Sequence, residues 1–382
     1  MSYLQIWPGA CIGLIWACTL TGAQKASYTQ HGVDFDNALK PLAGGFFLVL
    51  WILRADLEWI VKRLYLSDYR SNDCILCEAG NGPGMPAWTD FREAAPWMRT
   101  LWTKLTWQHA YPGRHRLFKS LPGLSVVSYV PDPLHTKYIG TDGYVLGGVL
   151  RYLTHHLLTN DVDANLKQIE HDMREAYRSL GVSNGKFERL QHTAIQGSSA
   201  KLPYLKGTGK QIAQMTRAMI VVFGKYEGAA RAINGISKQR IQQAHRFIAT
   251  TLKHSVRIDE ILLRHRASYV LSKPTSRAFR THCFAYAQMT TVLIDIFHPR
   301  IPVFHCTLKL HYLAHLALIA DFMCPCLASC AEGEDMMKVV KRLISSSARG
   351  SNAVQCAETA MAKYARALGF DFVGSSTDLW KN

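Results

Sequence analysis

The pattern of apolar positions changes character along the chain. An unbroken apolar run, FFLVLWIL, occupies residues 46–53. Because a continuous run of this length is typical of a strand buried on both faces, the pattern predicts a strand over residues 44–55. Apolar residues then recur at helical spacing over residues 57–66, with Asp56 in the position of the N-cap.

Beyond these elements, the chain is first irregular and then helical. Residues 70–135 are rich in Pro, Gly, Trp and Cys and show little periodicity, which predicts an irregular segment. In residues 161–181 apolar side chains form one helical stripe that ends at Gly181. Other helices are predicted from about residue 142 and near 210–224, 237–265, 281–297, 305–322, 334–348 and 354–368.

Composition narrows the class of protein. The 382 residues are 48% hydrophobic, which is enough for a sizeable core and argues against wholesale disorder. Lys and Arg number 44 against 28 Asp and Glu, a net charge of +16 that favours a polyanionic partner, above all nucleic acid.

Two apolar stretches bear on localisation. No Lys or Arg precedes the apolar stretch at 10–23, so a secretion signal is not indicated, and the run at 46–53 is too short to span a bilayer. We expect an intracellular, nuclear protein whose ten cysteines are reduced and for which membrane association is disfavoured.

A Cys-x2-Cys pair in the irregular segment suggests a metal site. Cys74 and Cys77, in SNDCILCEAGNGPG, have the spacing of half a tetrahedral zinc site. His109 and His115, in WQHAYPGRHRLF, are the histidines we assign to the other half, as a structural zinc site that would staple a segment lacking a periodic core. The alternative is two unrelated buried cysteines.

Two other polar pairs have simpler interpretations. His311 and His315, in KLHYLAHL, lie four residues apart on one helix face, a spacing that can bind a metal. Because Tyr312 replaces the Glu of a His-Glu-x-x-His site, a packed helix with two polar contacts is favoured. Asp132 and His135, in PDPLHTKY, can serve a metal or base site, but a turn aspartate with a locally bonded histidine is favoured.

Acids and bases are combined in a late helix, EGEDMMKVVKRLISSSAR. Its first turn contains Glu334, where acidic residues favour the helix dipole. Lys338, Lys341 and Arg342 follow on its polar side. The same arrangement suits a metal-dependent nuclease, in which a carboxylate holds the ion and the bases hold DNA phosphates.

The order of these motifs resembles a known family. The chain contains, in this order, ILRADLEWIVKRLYLSDYRSNDCILC, DPLH, HYLAHL and the basic helix that begins with acidic residues. This order resembles that of CACTA-type (En/Spm-like) cut-and-paste transposases and of transposon-derived open reading frames of dinoflagellate genomes. The resemblance covers roughly residues 44–150 and 300–368.

The resemblance implies a fold and a chemistry. It implies an α+β, mostly helical protein with a partial RNase H-like mixed sheet, interrupted by a large helical insertion with a zinc-knuckle-like segment. It makes Asp56 and Glu334 two acids of a catalytic triad that holds Mg²⁺ or Mn²⁺ for two-metal phosphoryl transfer on DNA.

The predicted organisation follows from that fold. It comprises an N-terminal segment at 1–43 that is assigned no fold and whose truncation is left open, a core part at 44–69, the Cys/His segment at 70–135, the helical insertion at 136–300 and C-terminal core helices at 301–382.

The triad expected from the resemblance is incomplete. Its first acid belongs well upstream of Asp56, where the acids are Asp34 and Asp36. Three strands of about 5–6 residues each, with their turns, scarcely fit into that interval. We therefore expect a degenerate transposase-like protein whose enzymatic activity is uncertain, with DNA as partner, no small-molecule substrate and self-association left open.

Two alternatives remain. One is a non-catalytic, helical nucleic-acid-binding protein with a structural zinc site, and the other is a helical scaffold associated with a membrane through residues 1–53.

Overall fold

The computed structural model describes most of the chain between residues 73 and 331. The continuous stretches are 73–110, 128–190 and 202–331, and the shorter ones are 10–11, 15–19, 46–50, 54–55, 61, 342, 345–346, 355–356, 359 and 362–363. The chain divides into two compact units, of which the smaller comprises residues 1–11 and 330–382 and the larger comprises residues 12–329.

The larger unit is built from helices. They are α1 (Lys104–Ala110), α2 (Gly143–Tyr152), α3 (Val162–Ser179), α4 (Gly209–Tyr226), α5 (Lys238–Arg264), α6 (Lys273–Phe297) and α7 (Leu308–Ile319). Short 3₁₀ helices occupy Pro96–Arg99, Glu227–Ala229 and Pro325–Ala328, and π-helical turns flank α2 at Leu134–Asp142 and Leu153–Leu157. The helices predicted from residue 142 to residue 322 are confirmed, and those near 334–348 and 354–368 lie mostly outside the described residues.

Strands play a small part in the fold. They are β1 (Ala10–Cys11), in the smaller unit, and β2 (Ile15–Thr19), β3 (Phe46–Leu50) and β4 (Arg54–Ala55), in the larger one. β2 and β3 pair antiparallel, with Ile15 opposite Leu50 and Thr19 opposite Phe46.

The predicted RNase H-like mixed sheet is wrong. The apolar run that predicted its strand does form β3, but within the larger unit the described pairing of β3 is with β2 alone, in a two-stranded sheet. The described core is instead made by the apolar faces of helices. A continuous apolar run indicates a strand without indicating how many strands join it.

Local sequence explains where the helices begin and end. Ser237 and Ser272 accept backbone N–H bonds at the starts of α5 and α6, and Thr208 forms a capping box with Gln211 at the start of α4. At the end of α3, Gly181 adopts a φ of 64° and the N–H of Val182 bonds to the carbonyl of Tyr177, 2.9 Å away. This is a Schellman ending, which favours glycine because of the positive φ.

In the larger unit, helices that follow one another along the chain pack against each other around a shared hydrophobic core. α5 and α6 are the longest helices and pack against each other, while α4 packs on α3 and α5. α7 packs against α6 and against the π-helical turns at Leu134–Asp142. Because α7 is covered on several sides, nearly all of its residues are buried, including His311 and His315.

A buried ionic network joins the π-helical turns to α5 and α6. The Nζ atom of Lys137 lies 2.6 Å from Asp142 Oδ2 and 2.7 Å from Asp259 Oδ1. The hydroxyls of Ser255 and Tyr286 donate to Asp142 Oδ1 at 2.8 and 3.0 Å. The fully buried lysine is therefore compensated by two carboxylates, as a buried charge requires.

Asp132 and His135 have a local role. Asp132 is buried, and its carboxylate accepts the backbone N–H groups of Leu134 (2.9 Å) and His135 (3.2 Å). The same carboxylate bonds to Nδ1 of His135. These contacts are those of a turn aspartate that begins a helical segment, the interpretation that the sequence favoured.

Candidate metal centre

The irregular segment positions the two cysteines in a tight turn. The N–H of Cys74 donates to the carbonyl of Ala79 at 2.8 Å, which closes the turn around Cys77. Within it, the N–H of Leu76 lies 3.3 Å from Cys74 Sγ and the N–H of Ala79 lies 3.5 Å from Cys77 Sγ. N–H groups directed at sulfur favour the thiolate, which is the form that binds metals.

Helix α7 positions the two histidines. His311 and His315 are four residues apart, so their side chains project from the same face of the helix. Both are buried, as are Cys74 and Cys77. Four metal-ligating side chains therefore meet in the interior, although 241 residues separate Cys74 from His315.

The four ligand atoms lie close to the spacing that a small tetrahedral ion requires. Cys74 Sγ lies 3.2 Å from His315 Nε2, Cys77 Sγ lies 3.3 Å from His311 Nε2, and the two Nε2 atoms are 3.0 Å apart. All four atoms lie within 4.8 Å of one another. Tetrahedral zinc, with bonds of about 2.3 Å to sulfur and 2.0–2.1 Å to nitrogen, sets sulfur–nitrogen separations of about 3.6 Å and nitrogen–nitrogen separations of about 3.3 Å. A slight expansion of the cluster would admit the ion.

Contacts around the cluster orient its ligands. Nδ1 of His311 lies 2.9 Å from the carbonyl oxygen of Trp88, which can only accept, so Nδ1 donates this bond and Nε2 is the ring nitrogen left to bind a metal. The indole of Trp97 packs against both imidazoles, with ring centroids 4.5 Å from His311 and 5.0 Å from His315. The hydroxyl of Tyr312 accepts the N–H of Ile75 at 3.2 Å, which ties α7 to the cysteine turn.

The electrostatics of the cluster also suit a cation. Burial acts to raise the pKa of Cys74, but the hydrogen bond from Cys77 and the neighbouring His315 outweigh burial, so this pKa lies well below its ordinary value. Burial, together with the bond to Cys74, raises the pKa of Cys77. Burial also lowers the pKa of His315, which favours the neutral ring that binds metals. A bound cation would take the place of the remaining thiol proton.

Two thiolates and two imidazoles, all supplied by the protein, make a closed site. Such a ligand set is typical of structural zinc, whereas catalytic zinc keeps one position open for water or substrate. The buried cluster of Cys74, Cys77, His311 and His315 can therefore hold a metal such as zinc, and the ion would join the irregular segment to α7.

The predicted histidine ligands differ from those in the structure. His109 is exposed near the end of α1 and does not belong to the cluster, and His115 lies outside the described residues. The ligand positions that we predicted for His109 and His115 are occupied by His311 and His315, which the sequence led us to interpret as packed polar residues. The informative feature was two histidines with metal-binding spacing in an otherwise apolar helix that is buried on all sides.

Most of the residues predicted for catalysis and DNA binding lie outside the described part of the chain. Asp56 and Glu334, the acids expected to hold Mg²⁺ or Mn²⁺, lie outside the described residues, as do Lys338 and Lys341. Arg342 is described as helical and exposed, in the smaller unit.

Comparisons with known proteins identify no relative, so a function has to be inferred from the geometry of the site. No protein-family model, curated protein or solved structure matches this chain. Among the helices described, none combines the length and the apolar character needed to cross a membrane.

Proposed function

We propose that this chain is a zinc-stabilised helical protein that binds nucleic acid through one face of α5, without cutting it. The catalytic hypothesis depended on a mixed sheet to bring Asp56 and Glu334 together, and the described strands do not form one. The observation that carries the binding proposal is a line of exposed basic side chains along α5.

The basic line consists of Arg246, Lys253, Arg257 and Arg264, all of which are exposed. Their spacing of seven, four and seven residues places them within about 20° of one line along the helix, at about 100° per residue. At a rise of 1.5 Å per residue the line is about 27 Å long. We call these four residues the basic stripe.

The charge of the stripe is largely available to a partner. Within the described part of the chain, Arg257 is the stripe residue that has an acidic partner at ion-pair distance, with 2.6 Å between Nη1 and Glu260 Oε2. Both side chains of that pair are well exposed, so phosphate can compete with the glutamate. A straight array of cations on a rigid helix suits a polyphosphate backbone and carries no base specificity by itself.

Zinc has a supporting role in this proposal. The ion would fix the segment at 73–103 onto α7, which packs on α6, and α6 in turn packs on α5. A protein that binds nucleic acid would be consistent with the nuclear location that the sequence led us to expect. The stripe and the metal centre are separate features, so the first can be tested while the second is left intact.

The test is fluorescence anisotropy with labelled duplex DNA, single-stranded DNA and RNA between about 50 and 200 mM salt. One variant replaces all four stripe residues by glutamine. The matched control replaces four exposed basic residues of α3 and α4, namely Lys167, Arg178, Lys210 and Arg217, so the change in net charge is the same.

We expect the stripe variant to bind more weakly and the control to bind nearly as wild type. For duplex DNA, the slope of log K against log salt should fall by up to about 3.6 in the stripe variant, at about 0.9 per lost phosphate contact. Equal losses in the two variants would refute the stripe as the binding face. Metal-dependent nicking of supercoiled DNA by the wild type would refute a purely binding role.

A further inference from the structure

Two loops near the end of α5 expose large apolar side chains. The loop that joins α5 to α6 exposes Tyr269 (52%) and Val270 (56%), and the turn that follows α7 exposes Phe322 (79%). Leu263, in the last turn of α5, is 67% exposed. Single exposed apolar residues are common on protein surfaces, but a group of large ones indicates an interaction surface.

Hydrogen bonds hold these loops side by side. The N–H of Cys324 donates to the carbonyl of Tyr269 at 2.8 Å, and Sγ of Cys326 donates to the carbonyl of Leu262 at 3.1 Å. Because Phe322 is two residues before Cys324, the Cα atoms of Tyr269 and Phe322 lie within about 14 Å of each other. We call the four exposed residues the aromatic platform, which comprises Leu263, Tyr269, Val270 and Phe322.

The surroundings of the platform are basic. Residues 261–280 contain five Lys or Arg and no Asp or Glu. Four of these basic residues are exposed, namely Arg264, Arg266, Lys273 and Arg277. Asp321, which precedes Phe322, accepts a hydrogen bond from the hydroxyl of Ser276 and lies 3.7 Å from Arg280, so its charge is compensated within the protein. The surface therefore suits an anionic partner that also offers apolar or aromatic groups.

Nucleic acid suits this surface better than an anionic membrane does, because the platform continues the basic stripe. Arg264, the last residue of the stripe, directly follows Leu263 in the chain. A line of cations about 27 Å long can follow one phosphate backbone and bring it to the platform. A helix that lies on a membrane carries its apolar residues along one face, whereas three of the four platform residues lie in loops beyond the stripe.

We propose that the aromatic platform binds single-stranded nucleic acid, with bases stacked on the rings of Tyr269 and Phe322 while the basic stripe holds the backbone. A duplex keeps its base faces stacked inside, whereas a single strand offers them to aromatic side chains. A separation of about 14 Å corresponds to about four stacked nucleotides at 3.4 Å each. The inference rests on the proposed function and adds the class of nucleic acid that the stripe alone does not select.

The test is fluorescence anisotropy of the full-length, zinc-loaded protein with a labelled oligothymidine and with a labelled duplex of equal length. One variant combines Tyr269→Ala with Phe322→Ala. A second combines Tyr269→Leu with Phe322→Leu, which removes both rings and keeps apolar side chains. The matched control is Leu105→Ala, at an exposed leucine of α1.

We expect wild type to bind oligothymidine more tightly than duplex, and each lost ring to weaken oligothymidine binding roughly 5-fold to 150-fold. The leucine variant should bind nearly as weakly as the alanine variant, because leucine has no ring on which a base can stack. Duplex affinity and the slope of log K against log salt should be unchanged, since no charge is removed. Leu105→Ala should bind as wild type, and all variants should unfold at the wild-type temperature because the sites are exposed.

The failure of this inference can be distinguished from failure of the proposed function. Wild-type binding of oligothymidine by the alanine variant would overturn the inference, and the proposed function would stand if the four stripe substitutions still weakened binding. If neither set of substitutions weakened binding, both would be refuted. Vesicles of phosphatidylserine and phosphatidylcholine are a separate probe: binding by wild type and the leucine variant but not by the alanine variant would identify a membrane surface and overturn the inference.

Discussion

Replacing Cys77 by serine should release the metal and loosen the irregular segment. Cys77 is 1% exposed and its sulfur lies 3.3 Å from Nε2 of His311, so a serine hydroxyl would be a poor ligand at a position that solvent cannot fill. Structural zinc sites contribute about 10–16 kcal/mol in zinc-finger peptides, or roughly 2.5–4 kcal/mol for each of four ligands. The affinity for zinc should therefore fall roughly 100-fold to 1,000-fold.

The assay can use the indole that touches the cluster. Trp97 packs on both histidine rings, so its fluorescence should change when zinc is withdrawn by a chelator. Competition with a chromophoric chelator gives the zinc affinity, and urea unfolding with and without chelator gives the stability. The matched control is Cys283→Ser, which makes the same chemical change at a cysteine buried in α6.

The control separates loss of metal from loss of packing. Cys283→Ser should lower stability by a similar burial penalty while it leaves zinc affinity and the response to chelator unchanged. The reasoning would be refuted if Cys77→Ser and wild type held zinc equally well, or if chelator altered neither protein.

Three further predictions concern the helical core. Lys137→Met should lower the free energy of unfolding in urea by about 3–5 kcal/mol, because it leaves the carboxylates of Asp142 and Asp259 buried without their cation. The control Lys253→Met, at an exposed site, should change that free energy by less than about 0.5 kcal/mol. Equal losses in the two variants would contradict a stabilising role of the ionic network. Burial raises the pKa of Asp259 to about 6, above its ordinary 3.8, so the stability from its protonated form is present below about pH 4 and lost as the pH rises through about 6. Between about pH 4 and pH 6, the free energy of unfolding of wild type should fall by on the order of 3 kcal/mol relative to that of Asp259→Asn. Parallel stability profiles of the two proteins against pH would contradict this prediction. Thr208→Ala should cost about 1 kcal/mol in the same unfolding assay by removing the capping box of α4, and an unchanged stability would argue against that cap.

The helices could be predicted because their determinants are local. A period of 3.6 residues marked the buried stripe of α3, and Gly181 marked its end, where the chain needs a positive φ. The irregular segment was predicted over residues 70–135; residues 73–103 contain only a 3₁₀ helix at Pro96–Arg99 and isolated bridges, but α1 (Lys104–Ala110) forms within the predicted range. In each case the information lies within a few residues of the element.

The metal centre could be only half predicted because its ligands come from distant parts of the chain. The Cys-x2-Cys turn is local, and its role as half of a metal site could be predicted from its spacing alone. Its partners lie 234 residues or more away, and no periodicity relates Cys77 to His311. The predicted ligands His109 and His115 are nearer to the cysteines in sequence, whereas the packing of α7 determines which histidines reach the thiols. The mixed sheet was wrong for a related reason, because the order of motifs does not specify which strands pair.

The most direct test of the metal centre is X-ray absorption spectroscopy at the zinc edge of the purified full-length protein. If the cluster of Cys74, Cys77, His311 and His315 holds zinc, we expect two sulfur ligands at about 2.3 Å and two nitrogen ligands at about 2.0–2.1 Å. In a His311→Ala variant, one nitrogen ligand should be lost or replaced by oxygen. A protein that contains no zinc after expression in zinc-replete medium, or zinc bound only by nitrogen and oxygen, would contradict the assignment of Cys74, Cys77, His311 and His315 as its ligands.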